Sequence, residues 1–277
     1  MNSEEAASFL LKKFKKSPSI LIVYSIALGN FPNVLEYSIK VPCDEVPCFP
    51  AKQKGSISPQ FIFGKLLQKY VLVLQGRYHY YEGYSKEEIT FPVRVASLLG
   101  CKNMFITNAV GSMNKKFELG DIMLINNHLD VVDSSGDSAL KVYNDNRRKF
   151  KKTSGIYDEN FRAIARKLSV EEGMEKYVKT GIYAMVNRKA LQTPSDILAF
   201  KTSGADVVGT SILPEVLTAV KLKLSIFGLS IVTDKRILDY SNFPDPMPDD
   251  ITKSLKLKKS FILKLIERYV EYCSDAM

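Results

Sequence analysis

Six short, solid runs of apolar residues, rich in β-branched side chains, set the tightest limit on how this chain can fold: Ser19–Tyr24, Tyr70–Gln75, Asn103–Asn108, Asp121–Asn126, Ile182–Val186 and Leu224–Thr233. Runs this short, without polar alternation, predict buried strands. Between them, Ser85–Leu99, Tyr157–Glu172, Thr193–Thr202 and Pro214–Leu222 carry helical spacing. Strand alternating with helix predicts an α/β sheet with helices packed on it. The tail Asp249–Cys273 places Ile251, Leu255, Phe261, Ile262, Leu265, Ile266, Tyr269 and Val270 at intervals of three and four, the pattern of a long amphipathic helix on a core. Met1–Lys16 reads as a shorter one. The polar stretch Asp133–Ser154, and Asn242–Asp250 with its prolines Pro244, Pro246 and Pro248, read as loops.

An α/β chain of 277 residues is expected to bury one large core and remain a single domain over 1–277. Apolar residues make up 45% and charged residues 25%, which sets disordered and fibrous classes aside. No apolar run reaches the roughly eighteen residues of a membrane span, and the N-terminus lacks a signal-peptide core, so a cytoplasmic protein is expected. Cys43, Cys48, Cys101 and Cys273 form no CxxC pair and read as free thiols, with no metal site. A net charge of +9 raises nucleic-acid binding. Yet the cations are dispersed, with only small knots at Lys12–Lys16, Arg147–Lys152 and Lys256–Lys259, and no aromatic-basic motif accompanies them. Solvated helix faces explain most of this charge, and attraction of small anions is what remains.

Open α/β sheets bind ligands beyond the carboxyl ends of their strands. The residues after the apolar runs are Ser25 and Gly29, then Arg77, His79, Tyr81 and Glu82, then Asn108, Ala109 and Gly111, and finally Asp234 and Lys235. In an extended segment Arg77 and His79 point the same way, as two donors to one anion do. Taken alone, the pair also fits a surface salt bridge of either residue with Glu82. His128, the other histidine, ends a strand-like run and reads as a hydrogen-bonded structural imidazole.

Several segments resemble the trimeric purine nucleoside phosphorylase family. They are Gln75–Tyr84 (Gln-Gly-Arg-Tyr-His-Tyr-Tyr-Glu-Gly-Tyr) with Thr90–Val95, Thr107–Asn114 with Phe117–Ile125, Gly204–Gly209, Pro214–Val216, and Thr233–Lys235 with Asp239-Tyr240. The resemblance is colinear from about Ile20 to Tyr240. It implies a central mixed sheet flanked by helices and phosphate-dependent cleavage of the purine–ribose bond to free base and ribose 1-phosphate. It also implies inorganic phosphate as co-substrate, no metal or organic cofactor, and a homotrimer. Carried over by position, it assigns phosphate to Ser25, Arg77, His79, the Ala109 amide and Ser211. Tyr81, Thr210 and Phe150 fall at the ribose, Phe150 from a neighbouring subunit, although Phe150 equally fits a small core anchor. Leu191, Gln192 and Asp234 fall at the base, with His79 and Asp234 in catalytic roles.

This sequence departs from the family in places that matter chemically. Tyr24-Ser25-Ile26-Ala27-Leu28-Gly29 replaces a glycine-rich turn whose bare amides approach phosphate, and Ile57 stands in the element that brings a second phosphate histidine. Asn187-Arg188-Lys189-Ala190-Leu191-Gln192 replaces a small-residue loop ending in glutamate, so Gln192 accepts without charge. Asp234 replaces a donor asparagine; an ionised carboxylate accepts only, which suits a 6-amino purine, whereas a carboxyl protonated by burial keeps a donor. Thr210 replaces a methionine, and the region of Pro248 lacks the histidine for the ribose 5′-hydroxyl. Altered base recognition follows; the alternative is a degenerate member that binds a nucleoside, nucleotide or other anion without turnover.

Overall fold

The computed structural model describes residues 1–31, 33–51, 58–129, 155–186, 194–235 and 249–275. Its helices are α1 (Ser3–Phe14), α2 (Lys86–Leu98), α3 (Glu159–Glu171), α4 (Pro194–Thr202), α5 (Leu213–Lys221) and α6 (Asp249–Asp275). Each lies where the sequence predicts one, shifted by a few residues at its ends. The strands are β1 (Ile20–Tyr24), β2 (Ser38–Pro42), β3 (Gln60–Leu66), β4 (Lys69–Gln75), β5 (Asn103–Ser112), β6 (Ile122–Leu129), β7 (Val178–Met185), β8 (Val207–Gly209) and β9 (Ser225–Lys235). The chain forms two compact units.

The first unit takes Met1–Thr107, Pro214–Phe227 and the chain from Ile262 onward. Its strand order is β2-β3-β4-β1-β5. All five residues of β1 are buried, and β1 pairs in parallel with β4 (Tyr24 against Gln75) and with β5 (Val23 against Ile106). Strands buried on both faces need no polar alternation, which is why the runs are solid. The β2–β3 and β3–β4 pairs are antiparallel. Gly64 in β3 permits another segment to come close, since a Cβ there would fall 2.2 Å from the Tyr37 carbonyl oxygen. Helix α2 begins with a reciprocal cap: the Ser85 hydroxyl accepts the Glu88 amide, and the Glu88 carboxylate accepts the Ser85 amide at 2.7 Å. The predicted C-terminal helix docks through Tyr269, whose ring centroid lies 5.5 Å from that of Phe105 and 6.0 Å from that of Phe227.

The second unit takes Asn108–Leu213 and Gly228–Phe261, with the order β5-β8-β7-β6-β9. Here β5–β8 is antiparallel (Gly111 against Val208), β8–β7 and β7–β6 are parallel, and β6–β9 is antiparallel (Ile122 against Ile231). Met113, Leu129, Ala184, Val186, Ile197, Phe200, Ala205 and Val208 form a buried cluster against α4. Among the described residues no helix is long and apolar enough to cross a membrane. None of them group into three or more metal-ligating side chains.

Candidate active site

In the first unit the parallel strands β1, β4 and β5 bring their carboxyl ends to one level, so Ser25, Gly76-Arg77 and Thr107 become neighbours. Ser25 leaves β1 by donating its amide to Thr107 Oγ1 at 2.8 Å, and that hydroxyl donates to the Val23 carbonyl at 3.2 Å. The Ser25 hydroxyl caps a single 3₁₀ turn, Ile26–Leu28, by accepting the Ala27 amide at 3.3 Å. The chain leaves β4 at Gly76, whose φ of +84° favours glycine and whose amide donates to the Tyr24 carbonyl at 3.2 Å. A Cβ on Gly76 would sit 3.3 Å from Ile26 Cδ1, so the turn also packs closely on the Ser25 segment.

Arg77 is 7% exposed. Its Nη2 donates to the Thr107 carbonyl, and its Nη1 lies 3.6 Å from Oε1 of Glu215, itself 2% exposed. The planar guanidinium is therefore aimed by a carbonyl on one side and balanced by a buried carboxylate on the other. The salt bridge to Glu82 that the sequence left open for Arg77 does not form; Arg77 turns inward to Glu215 because helix α5 delivers that carboxylate to the buried side.

Glu82 instead takes His79. Its Oε2 lies 2.8 Å from His79 Nδ1 and accepts the His79 amide at 3.0 Å across the Tyr80–Glu82 turn. The ring stacks on Tyr81, with centroids 4.7 Å apart. A carboxylate held at Nδ1 fixes a proton there and turns Nε2 to the opposite edge. Burial and the nearby Glu82 charge push the Tyr81 phenol pKa up, while the Arg77 charge pulls it down. Ser25, Arg77, His79 and Tyr81 thus lie in one unit, on consecutive or paired segments.

Of the other sequence-derived site residues, Ala109, Thr210, Ser211 and Asp234 belong to the second unit. Ala109 precedes Gly111 by two residues and Thr210 follows Val208 by two, so the antiparallel register points both toward the same end of the β5–β8 pair. Asp234 is half-buried near the end of β9, next to Lys235, which pairs with Glu118. Phe150, Leu191 and Gln192 lie outside the described residues, as do Ile57, Arg188, Lys189 and Pro248.

Residues 20–271 match the model of the phosphorylase superfamily. The chain is 33% identical over 275 residues to purine nucleoside phosphorylase 1 of Geobacillus stearothermophilus, covering 96% of each chain. A solved Schistosoma purine nucleoside phosphorylase in complex with hypoxanthine superposes with a TM-score of 0.81 at 30% identity, covering 96% of each chain. Isoform 2 from Schistosoma mansoni, in complex with cytosine and ribose-1-phosphate, gives 0.82 at 27% identity over the same coverage. This chain belongs to the purine nucleoside phosphorylase family.

As a member of that family the chain has its α/β fold with a mixed sheet, as the motifs implied. Two residues that hold Ser25 and Arg77 in this family member's candidate site are not marked as site residues by the sequence. Thr107 looks like the interior of an apolar run, and Glu215 like an ordinary acidic residue in the first turn of a helix. Thr107 carries a usable signal, a hydroxyl inside an otherwise apolar run one residue before Asn108, and Glu215 lies within the family-like segment Pro214–Val216. His128 is a structural imidazole, as read: fully buried, with Nδ1 3.2 Å from the Tyr157 hydroxyl, and burial lowers its pKa to about 4.

Proposed function

We propose that this chain catalyses the phosphorolysis of purine nucleosides, giving free base and ribose 1-phosphate, with altered base recognition. The observation that carries the reading is the fixed Ser25–Arg77–Thr107 arrangement at the ends of β1, β4 and β5, with His79 oriented beside it. Arg77 brings a planar fork of donors to phosphate, Ser25 a hydroxyl, and His79 the Nε2 edge of a ring that Glu82 holds at Nδ1. The Ala109 amide and Ser211 are the further phosphate contacts that the family pattern assigns.

The chemistry asks for phosphate held close to the anomeric carbon, where positive charge grows as the glycosidic bond lengthens and a phosphate oxygen forms the new bond. The departing purine carries the electron pair away and takes up a proton. Tyr81, Thr210 and Phe150 are read as the ribose contacts, and Leu191, Gln192 and Asp234 as the base contacts. An ionised Asp234 would accept from a 6-amino group, which favours adenosine-type substrates over 6-oxopurines. No metal enters any of these steps. Support for the product comes from the solved Schistosoma mansoni isoform, whose complex includes ribose-1-phosphate.

Inosine, guanosine, adenosine and methylthioadenosine should be assayed for base release with and without inorganic phosphate. The expected result is strictly phosphate-dependent release from at least one, with 6-aminopurine nucleosides ahead; no turnover of any would overturn the assignment. Residues 1–277 are read as one phosphorylase domain and the protein as a cytoplasmic homotrimer with Phe150 covering a neighbour's ribose. Sedimentation equilibrium should return a mass of three chains, and a monomer would remove Phe150 from the site.

A further inference from the structure

The corner Thr210-Ser211-Ile212, between β8 and α5, is held by one side chain from a neighbouring strand. Tyr183 of β7 is fully buried, and its hydroxyl donates to the Ser211 carbonyl at 2.5 Å while accepting the Ser211 amide at 3.2 Å. One oxygen thus satisfies both backbone groups of a single residue, fixing the plane of the peptide on each side of Ser211.

Two further features fit this clamp. Gly209 lies directly beneath it: a Cβ there would come within 3.0 Å of both Tyr183 Cε2 and its hydroxyl, so the missing side chain is what lets the phenol reach the corner. Ile212, a β-branched residue, is held at φ +71°, in the left-handed region that such side chains avoid. Strain of this kind persists only where surrounding contacts over-determine the backbone. The parallel register aligns Met185 with Gly209 and Tyr183 with Val207, and the Val186 amide donates to the Gly209 carbonyl at 2.8 Å, so both sides of the clamp are anchored in the sheet.

We infer that Tyr183 is a positioning residue for phosphate: its hydroxyl sets the Ser211 backbone, and hence the direction of the Ser211 side chain. In this role Tyr183 acts through Ser211 and needs no contact of its own with phosphate. The inference rests on the reading of Ser211 as a phosphate contact. Losing the two bonds leaves Ser211 free to rotate away and weakens phosphate binding by at most the worth of the Ser211 contact itself, about one hydrogen bond.

The test compares Tyr183→Phe, Gly209→Ala and Ser211→Ala by phosphate-dependent thermal stabilisation and, where there is turnover, by KM for phosphate against KM for nucleoside and kcat. The expected result is a phosphate affinity about tenfold weaker in Tyr183→Phe and in Ser211→Ala, with nucleoside KM nearly unchanged. The double variant Tyr183→Phe/Ser211→Ala should be no weaker than Ser211→Ala alone, because both act through one side chain. Gly209→Ala, which keeps the hydroxyl but displaces the ring, should reproduce the phosphate defect and stands in if Tyr183→Phe does not fold. If Ser211→Ala weakens phosphate while Tyr183→Phe and Gly209→Ala do not, the positioning role is overturned and the phosphate reading survives. Unchanged phosphate affinity in Ser211→Ala overturns both.

Discussion

Replacing Glu215 with glutamine should cost about 3–5 kcal/mol of stability, because it strands the Arg77 guanidinium in a buried site without its balancing charge. For a chain of this size that corresponds to a fall in Tm on the order of 10 °C. Arg77 is 7% exposed and Glu215 2%, so water has little access to take the carboxylate's place. The Thr107 carbonyl still accepts from Nη2, but a neutral dipole compensates only part of a desolvated cation. Glutamine also no longer draws Nη1 to one side, so the fork loses its aim, and kcat/KM for phosphate should fall about tenfold or more. The apolar pair Arg77→Met/Glu215→Leu separates the two consequences. Removing both charges together should restore most of the lost stability, since a buried ion pair and a well-packed apolar pair are of similar worth. It should restore no phosphate binding. Thermal melts with and without phosphate decide the matter: a double variant still stabilised by phosphate would show that Arg77 is a structural cation and not an anion ligand.

How far the site could be read in advance follows from where its information lies along the chain. Ser25, Arg77 and His79 stand out as candidates because each follows an apolar run, and the ends of buried strands are where an α/β sheet presents polar groups. Glu82 was legible as a partner because it lies three residues from His79, within one turn. Glu215 was not, since 138 residues separate it from Arg77 by their numbers and only the placing of α5 brings them together. Tyr183 was hidden for a related reason: a tyrosine in a buried strand is ordinary, and only the neighbouring β8 shows that its hydroxyl ends on Ser211. The fold shows the same division. Long helices with caps and periodic faces were read nearly to their ends. Strand β8 has three residues, too few for any periodicity, and β2 has a single buried residue, Val41, with no apolar run to mark it. Strand β3, Gln60–Leu66, carries a buried Phe-Ile-Phe run, but Gly64 and Lys65 break it before it reaches the length of its neighbours.

Acid should destabilise this protein through His128, by about 3 kcal/mol in total and over a defined window. Burial lowers the folded-state pKa of this imidazole from 6.5 to about 4, and the residue has no solvent exposure. Above pH 6.5 the ring is neutral in both folded and unfolded chains and contributes no pH dependence. As pH falls below 6.5 the unfolded chain takes up a proton that the folded one refuses, so stability drops, at most about 1.4 kcal/mol per pH unit, until the folded ring titrates near 4. Asp121 works in the opposite sense. Burial raises its pKa, so its folded form binds a proton first, and stability rises as pH falls through the range just above its usual value. The wild-type curve therefore mixes the two, and the informative quantity is its difference from His128→Asn, which keeps a polar atom near the Tyr157 hydroxyl but has no proton to gain. Urea unfolding at a series of pH values from about 7 to about 4.5 should show the wild type losing about 2–3 kcal/mol more than the variant. Parallel curves would mean that the buried ring opens to solvent before it titrates, and that the Tyr157 contact does not exclude water from it.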